Sequence, residues 1–379
     1  MCGVGRPAAV AGGKSRRGMA PSFDAGAKLT HPWKERFMKI ATSVLFSLML
    51  VPMTGSAADW VPLPSSVPAP ADNPTTPEKV ALGKMLYHDP RISSTGSVAC
   101  ASCHSVMGGG TDNRSVSMGV HGKTGRRNAP TVWNAAFQSA QFWDGRSANL
   151  EDQAKGPVTN PVEMGMKDWG ATVKRLRAIP GYKEPFARVF GGDDPVTGDN
   201  AAKAIAAYER TLITPDSPYD RYVKGNKAAL NAQQLRGMQS FEKTGCTTCH
   251  SGPAFNGVTG FPAAGGVFRK FPTFTDSAYV KKYGLAADQG RYETTKRSED
   301  RHVWRVPTLR NLGETAPYFH NGAVKSLDEA VRVMAKTQLN KDLGADEVHD
   351  IVAFLGALDG TFPKQAMPRL PPTPGTLLD

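Results

Sequence analysis

Cys100-Ala101-Ser102-Cys103-His104 and Cys246-Thr247-Thr248-Cys249-His250 decide how this chain is read. Each is a C-x-x-C-H, the pattern that attaches a haem c. The reason is geometric. Two thiols at this spacing reach the two vinyl groups of one porphyrin, and the adjacent His sits under the iron as proximal ligand. A thioredoxin-like motif does not require His after both pairs. A zinc ribbon wants its two pairs roughly 15–20 residues apart, and these lie 146 apart. The fifth cysteine, Cys2, lies far upstream, so no cysteine remains for a structural disulfide.

The segment before the motifs reads as an export signal. Met38-Lys39 opens an apolar run, Ile40 to Met53, that ends in Gly55-Ser56-Ala57-Ala58. A positive start, a short apolar core and small residues at the end make a secretory signal peptide. An uncleaved anchor is the alternative, although the run is short for a membrane span. Residues 1–58 are therefore expected to be presequence and signal peptide, with Met38 as initiator and the periplasm as destination. That segment also carries about half of the net charge of +12, through eight basic residues against Asp24 and Glu35. No dense Lys/Arg run follows it, which argues against a nucleic-acid partner. At 379 residues, 40% hydrophobic and 21% charged, the chain has room for two soluble domains.

Those domains are related by duplication. Pro130-Thr131-x-x-Asn134 recurs as Pro307-Thr308-x-x-Asn311, an offset of 177. Phe142, Gly145 and Leu150 match Phe319, Gly322 and Leu327 at the same offset. Each C-x-x-C-H also follows a helical stretch. One starts at Thr76-Pro77-Glu78; the other at Asn231, with Gln234 completing a capping box. The pattern predicts a mainly α chain of two tandem cytochrome c-like domains, 59–220 and 221–379, each binding one haem c.

The halves differ where an iron's sixth ligand is chosen, and that ligand sets potential and access. Ser326 and Glu329 read as a capping box, and Leu327, Ala330, Val331 and Met334 share the inner face of the following helix. Met334 is either core filler or a haem ligand. Pro157 stands at the matching position of the first half. That half offers His121 instead, in a Gly-rich stretch where a surface His is the plain reading. Trp143 stands where the second half has His320.

These segments resemble the bacterial dihaem cytochrome c peroxidases from about Pro77 to Leu358. In the first half the resemblance is carried by Thr131-Val132-Trp133-Asn134-Ala135, Ala140-Gln141-Phe142-Trp143-Asp144-Gly145-Arg146 and Val162-Glu163-Met164. In the second it is carried by Thr214-Pro215-Asp216-Ser217-Pro218-Tyr219-Asp220-Arg221-Tyr222, Pro307-Thr308-Leu309-Arg310-Asn311 and Thr315-Ala316-Pro317-Tyr318-Phe319-His320. The resemblance implies a peroxidatic haem on Cys100, Cys103 and His104, with His121 as the distal ligand that leaves on activation. It implies an electron-accepting haem on Cys246, Cys249, His250 and Met334. Glu163 then matches the acid–base carboxylate, Gln153 its neighbour, and Trp143 a residue between the haems. A calcium ion is implied at Asn128, Thr315 and Pro317. The reaction implied is reduction of hydrogen peroxide to water, with a small cytochrome c or a cupredoxin as donor and room for a homodimer.

Two other readings stay open. A non-catalytic dihaem electron carrier would keep both irons six-coordinate. A dihaem oxidase acting on a protein or organic substrate belongs to a related subgroup with Tyr at the position of Met334. The Gly-rich, aromatic segment Phe255 to Phe274 has no counterpart in the first half and reads as a docking surface or a domain-closing loop.

Overall fold

The computed structural model describes residues 60–258, 267–373 and 375. The presequence expected over 1–58 lies outside the described residues, as does the middle of the Phe255–Phe274 segment. No helix among the described residues is long and apolar enough to cross a membrane.

The chain is mainly helical. In the first half the helices are α1 (Pro77–His88), α2 (Cys100–Cys103), α3 (Leu150–Thr159), α4 (Trp169–Arg177), α5 (Pro180–Phe190) and α6 (Gly198–Glu209). Then come α7 (Pro218–Val223), α8 (Ala232–Thr244), α9 (Ala278–Lys282), α10 (Tyr292–Thr295), α11 (Leu327–Leu339) and α12 (Ala345–Gly356). A short antiparallel pair, β1 (Phe268–Lys270) and β2 (Val303–Arg305), sets Arg269 opposite Trp304. The spacing gave no sign of that pair.

The expected caps form for the expected reasons. Thr76 Oγ1 accepts from the Lys79 amide and Pro77 opens α1. Asn231 and Gln234 exchange both bonds of a capping box at 2.9 and 3.0 Å. Ser326 makes only half of its box. It accepts from the Glu329 amide at 3.3 Å, while the Glu329 carboxylate accepts from Tyr283 Oη at 2.5 Å and Lys282 Nζ at 3.0 Å. A charged and a phenolic donor together outbid one backbone N–H.

Each half is organised around one close helix crossing. In the first, Gly83 of α1 meets the backbone of α6, where a Cβ would stand 1.8 Å from the Ala204 carbonyl oxygen. In the second, Gly237 of α8 meets α12, where a Cβ would stand 1.8 Å from that of Asp350. Only glycine permits either approach. Leu82, Leu86, Tyr87, Phe186 and Ile205 build the core around the first crossing; Tyr219, Phe241, Phe255, Ile351 and Phe354 build it around the second.

Both ends of the described chain cross to the other half. Trp60 packs edge-on against Tyr219 and Phe354. From the other end, Phe362 packs on Trp133 with ring centroids 5.0 Å apart, and Arg91 donates to the Pro371 carbonyl at 2.8 Å. The break expected between 220 and 221 falls inside α7, a single turn-and-a-half of helix capped by Ser217 and closed by its box with Asp220.

Candidate active site

The first attachment motif is the whole of α2, with His104 as its C-cap. His104 Nδ1 lies 2.9 Å from the Pro130 carbonyl. A carbonyl can only accept, so Nδ1 carries the proton and Nε2 keeps a lone pair for a metal. His250 repeats the device with the Phe255 carbonyl, also at 2.9 Å. Burial pushes both imidazoles toward the neutral form that ligates. All four motif cysteines are free thiols.

Each motif opens on a cavity. Cys100, Cys103 and His104 face one of about 750 Å³. Cys246, His250 and Met334 face one of about 190 Å³. The donor sets fit two covalent haem groups: free thiols and an oriented neutral imidazole at each cavity, with a thioether added at the second. The inner face of α11 is as expected, since Leu327, Ala330, Val331 and Met334 all line the second cavity. α3 begins 177 residues before α11, and its Pro157 lines the first cavity where Met334 lines the second.

Glu163, Gln153 and Trp143 line the first cavity together. Glu163 sits on the loop after α3, where its Oε1 accepts from Asn160 Nδ2 at 2.9 Å. Burial pushes its carboxyl up from the usual carboxylate range, and the Arg146 charge pulls it part of the way back. Trp143 lines both cavities, fixed by a 2.8 Å bond from its indole N–H to the Asn128 carbonyl.

His121 is elsewhere. It is exposed, at φ +56°, on the turn Val120–Gly122, and is not among the residues lining the first cavity. That turn is held against the Glu163 loop, with the Val120 amide donating to the Glu163 carbonyl at 2.9 Å. Of the residues implied for calcium, Asn128 lines both cavities and Thr315 and Pro317 line the second. They offer neutral oxygens, which a hard cation accepts. No cluster of three His, Cys, Asp or Glu that could hold a metal occurs among the described residues.

The duplication is written into the contacts between the halves. The Asn128 amide donates to the His320 carbonyl at 2.8 Å, and the Arg305 amide to the Trp143 carbonyl at 3.0 Å. These are one bond and its copy, since 128 and 305, like 143 and 320, differ by the repeat offset. At the centre Asn134 Nδ2 donates to Thr214 Oγ1 at 2.8 Å, which donates to Asn311 Oδ1 at 2.7 Å. Sequence reading missed Arg127, which bridges Asp144 at 2.7 Å and Asp288 at 2.8 Å and lies over the Trp304 ring. Its partners are far apart in the chain, so no local spacing marks it. Arg146, quoted above only within a segment that carries the resemblance, and Glu209 also line the first cavity, and no motif spacing gave either a role.

Known proteins share this arrangement. The family model described as di-haem cytochrome c peroxidase matches residues 77–228. The cytochrome c peroxidase of Escherichia coli is 44% identical over 295 residues, 78% of this chain but only 61% of that protein. The cytochrome c551 peroxidase of Nitrosomonas europaea is 42% identical over 332 residues, 88% of this chain and 95% of that one. A solved MauG-like protein associated with microbial copper homeostasis matches with a TM-score of 0.68 at 29% identity, over 81% of this chain and 95% of that one.

Proposed function

This chain belongs to the di-haem cytochrome c peroxidase family, and we propose that it reduces hydrogen peroxide to water in the periplasm with electrons from a small cytochrome c or a cupredoxin. The observation that carries this reading is the shared wall of the first cavity: Glu163 and Gln153 face the same space as Cys100, Cys103 and His104. A pure electron carrier has no use for a half-buried carboxyl there.

When bound, the haem of the first cavity supplies the iron and the electrons that split the O–O bond. The chain supplies the rest. His104 holds it from one side. Glu163 takes the proton from the nearer peroxide oxygen and returns it to the farther one, so that water leaves. General acid–base work of this kind is worth ~10²–10⁴-fold. Gln153 holds peroxide or water by its amide. His250 and Met334 would hold the second haem, and that His/Met pair would raise its potential, suiting it to accept the donor's electrons. Trp143, in the wall common to both cavities, gives them an aromatic path inward.

His121 is the resting ligand in this proposal. The bond from the Val120 amide to the Glu163 carbonyl ties the His121 turn to the Glu163 loop, so movement of His121 into the cavity would be coupled to the position of the acid–base group. Calcium at Asn128, Thr315 and Pro317 would tie the Asn128 segment to the second half. The signal over residues 38–58 directs export.

Steady-state peroxide consumption by haem-loaded protein, oxidised and then half-reduced with calcium present, tests the proposal. Turnover only after half-reduction supports the peroxidase with His121 as a gate. Turnover in both states keeps the peroxidase and removes the gate. With both haems intact and no turnover in either state, the electron carrier replaces it.

A further inference from the structure

On the peroxidase reading, each turnover draws two protons from solvent. Glu163 shuttles a proton already on the peroxide and brings in none, so the cavity needs a second proton source. A polar row that begins in the cavity wall has the right composition.

Glu209, the last residue of α6, lines the first cavity and is 6% exposed. Arg210 follows it at 7% exposure and pairs with Glu151 of α3. Asn73 Nδ2 donates to Glu151 Oε1 at 2.6 Å and to the Lys203 carbonyl at 3.0 Å. Lys79 Nζ donates to Asn73 Oδ1 at 2.9 Å. Lys203 Nζ then pairs at 3.0 Å with Asp72, whose side chain is 74% exposed. Within this row, Arg210 Nη1 and Glu151 Oε2 are buried and have no partner in the protein. Charged atoms are not left bare in an interior, and such pairs are where ordered water sits. The row therefore runs from the cavity wall at Glu209, through water held by Arg210 and Glu151, to solvent at Asp72.

We propose that Glu209 is the proton-relay residue of the peroxide cavity, refilled from the surface at Asp72 through water held between Arg210 and Glu151. The carboxylic acid gives its proton to the oxygen left in the cavity after the first water has departed, which takes up the donor's two electrons and two protons to become the second water. The carboxylate then takes a proton from hydronium arriving along the row and delivers it in the same way, so both protons enter without moving Glu163. The groups acting on Glu209 or acted on by it are Arg210, Glu151 of α3, Tyr87 of α1, Tyr208 of α6 and Cys100 of α2. Burial, against the pull of Arg210, pushes the Glu209 carboxyl up to about 8, so it holds a proton to give at neutral pH.

The test uses full-length haem-loaded protein, Glu209→Gln and Glu151→Gln. Infrared spectra at neutral pH are taken in H₂O and D₂O beside steady-state kinetics. The wild type should show a buried protonated-carboxyl band that shifts in D₂O and is missing from Glu209→Gln. The same variant should lose about tenfold or more in kcat, with KM for peroxide within about twofold and a larger solvent isotope effect. Glu151→Gln, which does not touch the cavity, should keep the band and lose kcat by a smaller factor. Unchanged kcat and isotope effect in Glu209→Gln, or a wild type without that band, overturns the relay. If Glu209→Gln fails to load two haems, an unaffected Glu151→Gln overturns it instead. A wild type that consumes no peroxide overturns the peroxidase reading, and the infrared band then judges the protonation of Glu209 by itself.

Discussion

The first and second halves are one unit built twice, and they part company in the walls of their cavities. The posts are the same. Asn134 and Asn311 both adopt left-handed backbone at φ +61° and +60°. Thr131 Oγ1 donates to the Gly109 carbonyl and Thr308 Oγ1 to that of Ala254, each at 2.7 Å. The fillings differ. Around the first cavity stand Gln153, Pro157 and Glu163; the repeat puts Ala330, Met334 and Asn340 at those positions. Duplication kept the frame that orients each imidazole and changed the groups across from it. One half became a cavity of about 750 Å³ with charged and amide side chains in its wall, the other a smaller one of about 190 Å³ with a thioether in its wall.

The largest effect that would break this comparison is chemical. Glu163→Gln should lower kcat for peroxide by ~10²–10⁴ while both haems load and the second keeps its spectrum. Asn340→Asp, at the matching position of the second half, should leave kcat unchanged. Equal losses in both would mean that the halves are not divided in role.

Next comes a buried charge that only the second half uses. Trp133 ties its loop by an indole bond to the Gly108 carbonyl at 2.9 Å. At the repeat position Arg310 makes the same tie to Pro253, also at 2.9 Å, and pairs with Asp220 at 2.8 Å, both side chains 0% exposed. Arg310→Ala takes the counter-charge from that carboxylate, which keeps its bonds from the Leu63 and Ser217 amides, and should cost about 3–5 kcal/mol in denaturant unfolding. A loss below about 1 kcal/mol would mean that solvent reaches Asp220.

A smaller effect sharpens the parallel. Gly83→Ala and Gly237→Ala each force a methyl into the facing backbone and should each cost about 1–3 kcal/mol. Similar losses, measured by the same unfolding curves, are the signature of one crossing used twice. A loss in one alone would mean that the two crossings do different work.

The smallest effect is a pH dependence. His320 stands where the first half has Trp143, stacked on Trp304 at 4.1 Å, and burial pushes its imidazole down to about 4. The unfolded chain therefore binds a proton that the folded one refuses between roughly pH 6.5 and 4. Stability is full above that window and falls as the pH drops through it, by about 1 kcal/mol between pH 7 and 5.5. His320→Phe should remove that part of the slope. An unchanged slope would mean that the imidazole is protonated in the folded protein.

Much of this was legible in the chain because it is local. Attachment motifs, helix caps and the repeat offset are short-range patterns, and α3 and α11 begin where the offset puts them. Met334 was placed on the inner face of its helix by periodicity alone, and the second cavity has it there. The resemblance brought in Glu163, Gln153 and Trp143, and the structure gathers them at one cavity. What failed to show was long-range. The exchanged ends, Trp60 on the second core and Phe362 on the first, follow no periodicity. Nor does Arg127, whose partners Asp144 and Asp288 lie in different halves. His121 was an expectation of ligation, and its exposed turn outside the cavity depends on a loop contact that no spacing encodes. Within that turn Val120 is buried and only His121 and Gly122 are exposed.

The central claim is that one half is open to an external ligand and the other is closed. Cyanide titration of the half-reduced, haem-loaded protein, followed by low-temperature electron paramagnetic resonance, tests it most directly. The account predicts one cyanide bound per chain, at the haem of His104, with the His250 and Met334 haem unchanged. Two bound cyanides, or one that displaces Met334 while the first haem stays closed, would contradict it.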